Sequence, residues 1–299
     1  MHWKRFKERF FTDPTKVLAL SGGGARGMAH IGVLQSLDDL GLKPELVTGT
    51  SMGALVGAWY CLHGSSAGLP TMCHDLFESN LFAKLDLDEL IEDEDGGQDS
   101  FEEFSRRARV LITLSKMVRR ISLVDPEYLE EVMDRVFGKA TFDNLAIPFV
   151  AVATDLYSGE DVALSKGRLS TAVRASASIP GVFAPVAQDS MLLVDGYITK
   201  NIPVPEPGEP PNGAKVIAVD VQRQLESTGP WENGIDVMAR AEWIMQIQLN
   251  RYYLERADLV LVPDVHDVHW ADFGRIDQLI ETGRRSATER EREIEQVFG

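Results

Sequence analysis

Short apolar runs alternate with longer amphipathic stretches along the chain, and this alternation predicts strands separated by helices. The apolar runs have the length and the residue types of buried strands. They occupy residues 16–20, 45–48, 147–154, 162–164, 191–194, 216–221 and 259–262. Strands that alternate with helices in this way are typical of an α/β fold with a mostly parallel sheet.

The stretches between the strands carry apolar residues at helical spacing and predict helices. These helices are expected at 28–37, 54–59, 73–91, 101–123, 125–138, 169–178, 233–256 and 274–297. Residues 64–72 are rich in Gly, Ser and Pro and predict a loop, and the acidic residues 92–100 predict a solvated one. We expect a single domain over residues 16–299, in which residues 64–125 are a variable region and a candidate lid.

Two basic amphipathic stretches have more than one interpretation. Residues 1–15 form a basic-aromatic segment that could rest on an anionic membrane surface or pack on the domain as a terminal helix. Residues 101–123 combine apolar positions at helical spacing with six basic side chains. They could cover an active site, touch membrane lipid, or form a core helix with a charged outer face.

The clearest local pattern is Gly-x-Ser-x-Gly at Gly49, Ser51 and Gly53, between a predicted strand and a predicted helix. Such a turn holds the serine in a strained conformation, and glycines two residues to either side relieve the collisions. The serine oxygen then lies at a helix N-terminus, where the helix dipole favours developing negative charge. Ser51 is therefore a candidate nucleophile.

A second glycine-rich turn, SGGGARG at residues 21–27, follows the first predicted strand. Its backbone amides and the dipole of the next helix favour an anion. Gly22, Gly24 and Gly27 match a dinucleotide-binding pattern, but the same turn could form an oxyanion hole for acyl transfer. Dinucleotide binding requires an acidic ribose ligand after the second strand, where this chain carries the Ser51 turn. The oxyanion hole is therefore the favoured interpretation.

Asp195 is the best candidate for a buried general base, because it directly follows an apolar strand and Gly196 lets a partner approach. The alternative is a turn aspartate that binds its own backbone. His30 lies in the first turns of the helix that follows the glycine-rich turn. A catalytic triad would use it as the base, and the simpler interpretation, which we favour, is a packed or surface helix residue.

Composition narrows the classes of function. The chain has 299 residues and a formal net charge of −16, which argues against a broad basic face for nucleic acid. Cys61 and Cys73 are too few for a disulfide framework and have no neighbours that suggest a metal site. No apolar run is long enough to span a bilayer, and the N-terminus lacks the apolar core of a signal peptide. We expect a cytoplasmic protein, with peripheral contact at the inner membrane surface as an alternative, and no metal or other cofactor.

Five ordered motifs together resemble the patatin-like phospholipases, specifically the bacterial branch of these serine acyl hydrolases. SGGGARGMAHIGVL at 21–34 resembles the family's glycine-rich motif, and GTSMGALVGA at 49–58 resembles its nucleophile turn. VDGYITKNIPV at 194–204 resembles the loop that holds the family's aspartate. AVATDLYSGE at 151–160 and RASASIPGVFAPV at 174–186 also resemble family segments.

The resemblance covers most of the chain and implies a patatin-like three-layer α/β/α sandwich with a Ser-Asp dyad in place of a triad. Ser51 would be the nucleophile, and Asp195 would accept its proton and later activate water. The oxyanion hole would be formed by Gly22, Gly23, Gly24, Arg26 and Gly27. The two catalytic motifs would be supported by Gly49, Gly53 and Gly196.

The resemblance further implies a lipid or another acyl ester as substrate, hydrolysed in the manner of a phospholipase A or lysophospholipase. Tyr197 departs from the family pattern, which usually has Gly or Ala after Asp-Gly, and raises a question of substrate fit. One alternative is a catalytically silent relative that binds a lipid or a partner protein in the same cleft. Another is a nucleotide-binding regulator built on the glycine-rich turn. Lipid class, acyl length and oligomeric state stay open.

Overall fold

The computed structural model of the chain describes residues 15–79, 119–206, 213–225 and 234–299. Within these ranges, eight strands form one sheet that is flanked by helices. The strands are β1 Lys16–Leu20, β2 Leu46–Thr50, β3 Phe149–Asp155, β4 Asp161–Leu164, β5 Val186–Gln188, β6 Met191–Asp195, β7 Lys215–Val219 and β8 Leu259–Leu261. The helices are α1 Ala29–Asp39, α2 Met52–His63, α3 Leu69–Phe77, α4 Pro126–Phe137, α5 Leu169–Ser176, α6 Tyr197–Lys200, α7 Gly234–Leu254, α8 Ile276–Glu289 and α9 Glu291–Phe298. Short 3-10 turns lie at Gly24–Met28, Phe142–Asn144 and Phe273–Arg275.

The strand order is β5-β6-β3-β2-β1-β7-β8, and β4 pairs with β3 outside this path. Neighbours are parallel from β3 through β2, β1 and β7 to β8. The pairs β3–β4, β3–β6 and β5–β6 are antiparallel. The predicted α/β fold with a mostly parallel sheet is therefore confirmed, with an antiparallel portion around β6.

Alternate residues of the central strands face two apolar layers, one on each side of the sheet. Leu18 and Leu20 of β1 belong to the layer that includes α1, α2 and α8. Val17 and Ala19 belong to the other layer, together with Tyr253 of α7. Because both faces of β1 are covered, its sequence is apolar from Val17 to Leu20, as in buried parallel strands. The expected three-layer α/β/α sandwich is confirmed.

Two helix boundaries differ from the sequence prediction. α3 begins at Leu69, inside the stretch predicted as a loop, because Gly68 turns the chain in the left-handed region and Pro70 occupies the first turn. The helix predicted over 274–297 is interrupted at Arg290, whose φ of −115° and ψ of 19° end α8 before α9 begins.

Several predicted segments lie outside the described residues. These are the basic-aromatic residues 1–14, residues 80–91 of the helix predicted at 73–91, the acidic loop 92–100, and residues 101–118 of the basic helix. The lid assignment for 64–125 and the boundaries of the single domain therefore stay predictions.

The helices α1 and α8 cross at two glycines. A Cβ on Gly283 would overlap the backbone of Ala29, and a Cβ on Gly32 would overlap the backbone of Ile280. Backbone atoms cannot rotate aside as a side chain can, so a larger residue must push the helices apart. The two helices can therefore approach this closely only because residues 32 and 283 are glycines, which have no side chain.

We expect Gly283→Ala to lower the free energy of unfolding by about 3 kcal/mol, measured by urea denaturation. Helix propensity alone predicts the opposite, because alanine is favoured over glycine in a helix by about 1 kcal/mol. Gly234→Ala is the matched control, since a Cβ at that helical position meets nothing among the described residues. A Gly283→Ala protein as stable as the Gly234→Ala control would contradict the close crossing.

Candidate active site

Ser51 occupies the sharp turn between β2 and α2. Its φ of 54° and ψ of −120° are rarely adopted by a residue with a side chain. The Ser51 amide donates to Ser176 Oγ at 2.9 Å, and that hydroxyl donates to the Val152 carbonyl at 2.6 Å. The strained turn is therefore held by two consecutive hydrogen bonds that run through the end of α5 to β3.

The backbone around this turn approaches so closely that only glycine fits on either side of Ser51. A Cβ on Gly49 would meet the Gly53 carbonyl oxygen at 2.5 Å. A Cβ on Gly53 would meet the Ser21 carbonyl oxygen at 2.6 Å and would overlap that of Leu20. The two glycines let the start of α2 lie against the end of β1, which brings Ser51 next to the glycine-rich turn.

The glycine-rich turn lies directly beside Ser51. A Cβ on Gly22 would lie 3.1 Å from the Ser51 Cβ and would overlap Asn201 Oδ1. The Gly22 amide donates to the Asn201 carbonyl at 3.1 Å and is engaged within the fold. Within the described ranges, the amides of Gly23 and Gly24 have no hydrogen-bond acceptor. These two amides can therefore donate to a bound group.

Gly24 has a φ of 58°, which requires glycine in this turn. A Cβ there would overlap the Trp270 carbonyl oxygen, which accepts the Ala25 amide at 2.7 Å. The glycine-rich turn therefore packs between the Trp270 carbonyl on one side and Ser51 on the other.

Arg26 and Gly27 shape the end of the same turn. Arg26 Nε donates to the Gly23 carbonyl at 3.2 Å, so the guanidinium binds the backbone of the turn. Burial, together with repulsion from Arg223, lowers the pKa of Arg26 to about 10, and the side chain stays charged at neutral pH. A Cβ on Gly27 would lie 2.6 Å from the Met52 Cβ, so Gly27 lets the turn pack against the start of α2.

Asp195, the last residue of β6, is buried beside Ser51. The Ser51 hydroxyl lies close enough to the carboxylate to favour its ionised form, and the Tyr197 amide donates to Asp195 Oδ1 at 2.9 Å. Burial raises the pKa of Asp195 to about 7, although the Ser51 hydroxyl and the Tyr197 amide both act to lower it. At neutral pH the carboxyl group is therefore divided between its protonated and ionised forms.

The sheet register explains how two residues that are distant in the chain meet. Thr50 pairs with Val152 of β3, and Asp195 pairs with Ala153, the next residue of β3. A Cβ on Gly196 would overlap the Val152 carbonyl oxygen and would lie 3.1 Å from the Thr50 Cγ2. Glycine at 196 therefore allows the aspartate loop to lie against the end of β2.

Two threonines of β2 fasten the segment that follows Asp195. Thr50 Oγ1 donates to the Lys200 carbonyl at 2.9 Å, and Thr48 Oγ1 donates to the Pro203 carbonyl at 2.7 Å. The Lys200 side chain is buried and lies 3.6 Å from the Asp161 carboxylate. The strand that carries the serine thus also positions the loop that carries the aspartate.

His30 is a packed residue, as favoured from the sequence. It is fully buried, and its Nε2 lies 2.8 Å from the Ser21 carbonyl oxygen. Burial lowers the pKa of His30 to about 4, so the ring is neutral at pH 7. Because a carbonyl only accepts, Nε2 carries the proton and donates it to the backbone at the start of the glycine-rich turn.

Ser176 and Asn201 are contributors that the sequence pattern did not single out. Both lie within stretches that resemble family motifs, but a lone serine or asparagine has no spacing of its own that predicts a contact. Among the described residues, no group of three or more His, Cys, Asp or Glu side chains is arranged to hold a metal ion. No helix in the described ranges has the length and apolar character needed to cross a bilayer.

A serine turn beside a glycine-rich turn, on adjacent parallel strands of an α/β/α sandwich, is the architecture expected of a patatin-like protein. A sequence model of the family described as Patatin-like phospholipase matches residues 18–207, more than half of the chain. The chain therefore belongs to the patatin-like phospholipase family.

Individual relatives agree with this assignment. An uncharacterized NTE family protein of Mycobacterium tuberculosis is 32% identical over 196 residues, which are 64% of this chain and 45% of that protein. Patatin-like phospholipase domain-containing protein 6 of Mus musculus is 28% identical over 267 residues, 87% of this chain and 17% of that protein. The crystal structure of VipD from Legionella pneumophila shares the fold, with a TM-score of 0.50 and 14% identity over 92% of this chain and 66% of that chain. This chain spans less than half the length of the two curated relatives.

Proposed function

We propose that this protein is a serine lipid acyl hydrolase, an esterase of the phospholipase A or lysophospholipase type with a Ser51–Asp195 dyad. The observation that carries the proposal is the placement of the Ser51 hydroxyl beside the buried Asp195 carboxylate, close enough for the hydroxyl to lower the pKa of that carboxyl group. Membership of the patatin-like phospholipase family supports lipid hydrolysis at the level of the class.

In the first step, Asp195 accepts the proton of Ser51 while the serine oxygen attacks the ester carbonyl carbon. An aspartate with an ordinary pKa is a weak base for a hydroxyl group. The raised pKa of about 7 gives Asp195 a higher proton affinity while leaving part of it ionised at neutral pH. The serine oxygen lies at the N-terminus of α2, where the helix dipole favours the negative charge that develops.

The amides of Gly23 and Gly24 bind the oxyanion that forms. The Gly23 carbonyl and the Gly24 amide belong to one trans peptide and point in opposite directions. Because Arg26 holds that carbonyl, it fixes the direction of the Gly24 amide. Arg26 therefore acts as a positioning residue, and Gly22 and Gly27 let the turn approach Ser51 and α2. Loss of one oxyanion donor typically costs about 10²–10³-fold in rate.

The tetrahedral intermediate collapses to an acyl-enzyme, and the leaving alcohol or lysolipid takes the proton from Asp195. Water then attacks the acyl carbonyl, with Asp195 as the base, and a second oxyanion forms in the same turn. Collapse of this second tetrahedral intermediate releases the fatty acid and returns the proton from Asp195 to Ser51. One carboxylate thus serves both halves of the reaction.

A fluorophosphonate probe is expected to label the protein at Ser51, since only an activated serine attacks the phosphorus atom. Tandem mass spectrometry of the modified peptide identifies the residue, and competition by phosphatidylcholine, lysophosphatidylcholine or triacylglycerol ranks the lipid classes. Ser176 is the internal control, because its hydroxyl lies against the same turn but donates to the Val152 carbonyl. Folded protein without label at Ser51 would favour a catalytically silent lipid-binding relative.

A further inference from the structure

The helix α7 packs against the segment that carries the catalytic aspartate. The Tyr197 hydroxyl donates to Glu242 Oε1 at 2.8 Å, and Gln246 Nε2 donates to the Ile198 carbonyl at 3.2 Å. Further along the helix, the Tyr253 hydroxyl donates to the Thr199 carbonyl at 3.2 Å. These contacts define the inner side of α7 and connect it to α6, which begins two residues after Asp195.

The outer side of α7 is apolar and exposed. Met238, Met245 and Tyr252 are spaced seven residues apart and therefore form one stripe along the helix. Met238 is 73% exposed and Met245 is 64% exposed. Val237 and Ile244 repeat the same spacing and are exposed beside them. We call these five residues the α7 stripe.

The segment that carries the α7 stripe is poor in acidic side chains, although the protein as a whole is strongly acidic. Between residues 237 and 252, the length of the stripe, the charged side chains are Arg240, Glu242 and Arg251, and Arg256 lies over the Tyr252 ring at 3.8 Å. Arg240 lies over the Trp243 ring at 5.0 Å, and Glu242 accepts the Tyr197 hydroxyl. With a net charge of −16 on the chain, an exposed helix face with Glu242 as its single acidic side chain is a local exception that requires an explanation.

More exposed apolar side chains lie at the sheet edge that carries Ser51. Leu156 and Tyr157 directly follow β3, and Ser51 directly follows β2, which is parallel to β3. The two strand ends therefore face the same edge of the sheet. Both Leu156 and Tyr157 are exposed, and Thr154 of β3 is hydrogen-bonded to Thr199 of α6 at 2.8 Å. Exposed apolar side chains are thus present on α7 and also after β3, whose Thr154 contacts the aspartate segment.

We propose that the α7 stripe docks this protein on a lipid–water interface of uncharged or zwitterionic headgroups. The inference rests on the proposed function, because a hydrolase of membrane lipids must meet its substrate at an interface. The stripe and the Glu242 side chain that accepts the Tyr197 hydroxyl belong to the same helix, and Tyr197 lies two residues after Asp195. A helix with one apolar stripe lies in the plane of the interface, and flexible methionines adapt to disordered acyl chains.

The net charge of the chain favours binding to some lipid headgroups over others. An acidic chain is repelled by anionic lipids, so apolar contact must supply the attraction. Binding to phosphatidylcholine vesicles is therefore expected to exceed binding to vesicles that contain phosphatidylglycerol. A surface held by basic side chains would show the opposite preference.

Vesicle sedimentation tests the proposal in a Ser51→Ala background, in which the lipid is not consumed. Met238→Asp combined with Met245→Asp is expected to weaken binding to phosphatidylcholine vesicles by about tenfold or more. Met238→Ser combined with Met245→Ser removes apolar area without adding charge, and it is also expected to weaken binding. Gln278→Asp with Gln296→Asp adds the same charge at exposed positions of α8 and α9, in the opposite helix layer, and is expected to bind like the parent protein.

Activity supplies the second readout, with Ser51 restored. Turnover of vesicle lipid relative to a soluble p-nitrophenyl ester is expected to fall about tenfold in the Met238→Asp, Met245→Asp protein. Circular dichroism melting of each variant checks the fold, which exposed substitutions leave intact. If vesicle binding persists in a protein that hydrolyses no ester, the docking surface stands and the proposed function fails.

Three results would overturn the docking surface. The first is that the parent protein does not bind vesicles. The second is that the methionine variants bind vesicles as well as the Gln278→Asp, Gln296→Asp control does. The third is that the parent protein is a dimer that the methionine substitutions dissociate. Light scattering after gel filtration detects the third, which would assign the α7 stripe to a second copy of the chain.

Discussion

Replacement of Ser51 by alanine is expected to lower kcat for ester hydrolysis by about 10⁴- to 10⁶-fold while the protein stays folded. Alanine removes the attacking oxygen, and the remaining activity comes from the amides of the glycine-rich turn acting on water. The alanine Cβ keeps the strained backbone at residue 51, so unfolding by urea is expected to resemble that of the parent protein. Turnover of a soluble p-nitrophenyl ester measures the loss.

Ser51→Gly is the matched variant that separates chemistry from backbone strain. It is expected to be as inactive as Ser51→Ala, but more stable by about 1 kcal/mol, because glycine adopts a φ of 54° without a Cβ penalty. Near-parental turnover by either folded variant would exclude Ser51 as the nucleophile. Equal stability of the two would show that the turn stores no strain.

Asp195→Asn is expected to lower kcat by at least about 10³-fold and to make the protein more stable at neutral pH. An amide is isosteric with the carboxyl group, accepts the Tyr197 amide, and donates to the Ser51 oxygen, but it cannot take a proton. The variant also removes a carboxylate that is costly to bury. Loss of activity and gain of stability should therefore appear in the same protein.

The stability gain depends on pH with a definite sign. The native pKa of about 7 lies above the unfolded value of about 4, so the native state binds the proton more tightly. The contribution of Asp195 to stability is fully present below about pH 4 and is lost as the pH rises through about 7. The unfolding free energy of Asp195→Asn relative to the parent protein is expected to rise by about 1.4 kcal/mol per pH unit across this window, then level off. A difference that is constant from pH 4 to pH 8 would contradict the raised pKa.

The pH dependence of kcat/KM supplies the kinetic counterpart. Activity of the parent protein is expected to rise with an inflection near pH 7, as Asp195 ionises. Asp220 is the matched control, since burial also raises the pKa of its carboxyl group and it lies near Arg26 of the glycine-rich turn. Asp220→Asn is expected to keep the inflection. If the inflection disappears in this variant, Asp195 is not the group whose ionisation controls activity.

Most of the sheet could be predicted because buried strands are apolar on both faces, as in β1. The short strand β5 could not, since Val186–Gln188 has three residues directly after Pro185 and gains its extended form from pairing with β6. The interruption at Arg290 was also missed, because apolar positions continue at helical spacing across it. Strand pairing determines the extended form of β5, and backbone geometry determines the break at Arg290. Local sequence patterns encode neither.

The same distinction applies to the candidate site. Ser51 and Asp195 could be proposed from sequence because each lies in a local pattern, a serine between two glycines and an aspartate after an apolar strand. Ser176, Asn201 and Thr50 act through contacts with residues more than a hundred positions away, so no neighbouring residue predicts them. A local pattern predicts the candidate reacting groups, and the folded chain determines which groups hold them.

The pairing of Thr50 and Asp195 with consecutive residues of β3 limits where the chain can change in length. An insertion or deletion of one residue within β6 would turn the carboxylate toward the opposite face of the sheet. Residues 189–190, which join β5 to β6, lie outside the ladder and can vary in number without moving it. Among natural or engineered length variants of this chain, those altered in such connections should conserve the dyad, and those altered in β6 should lose it.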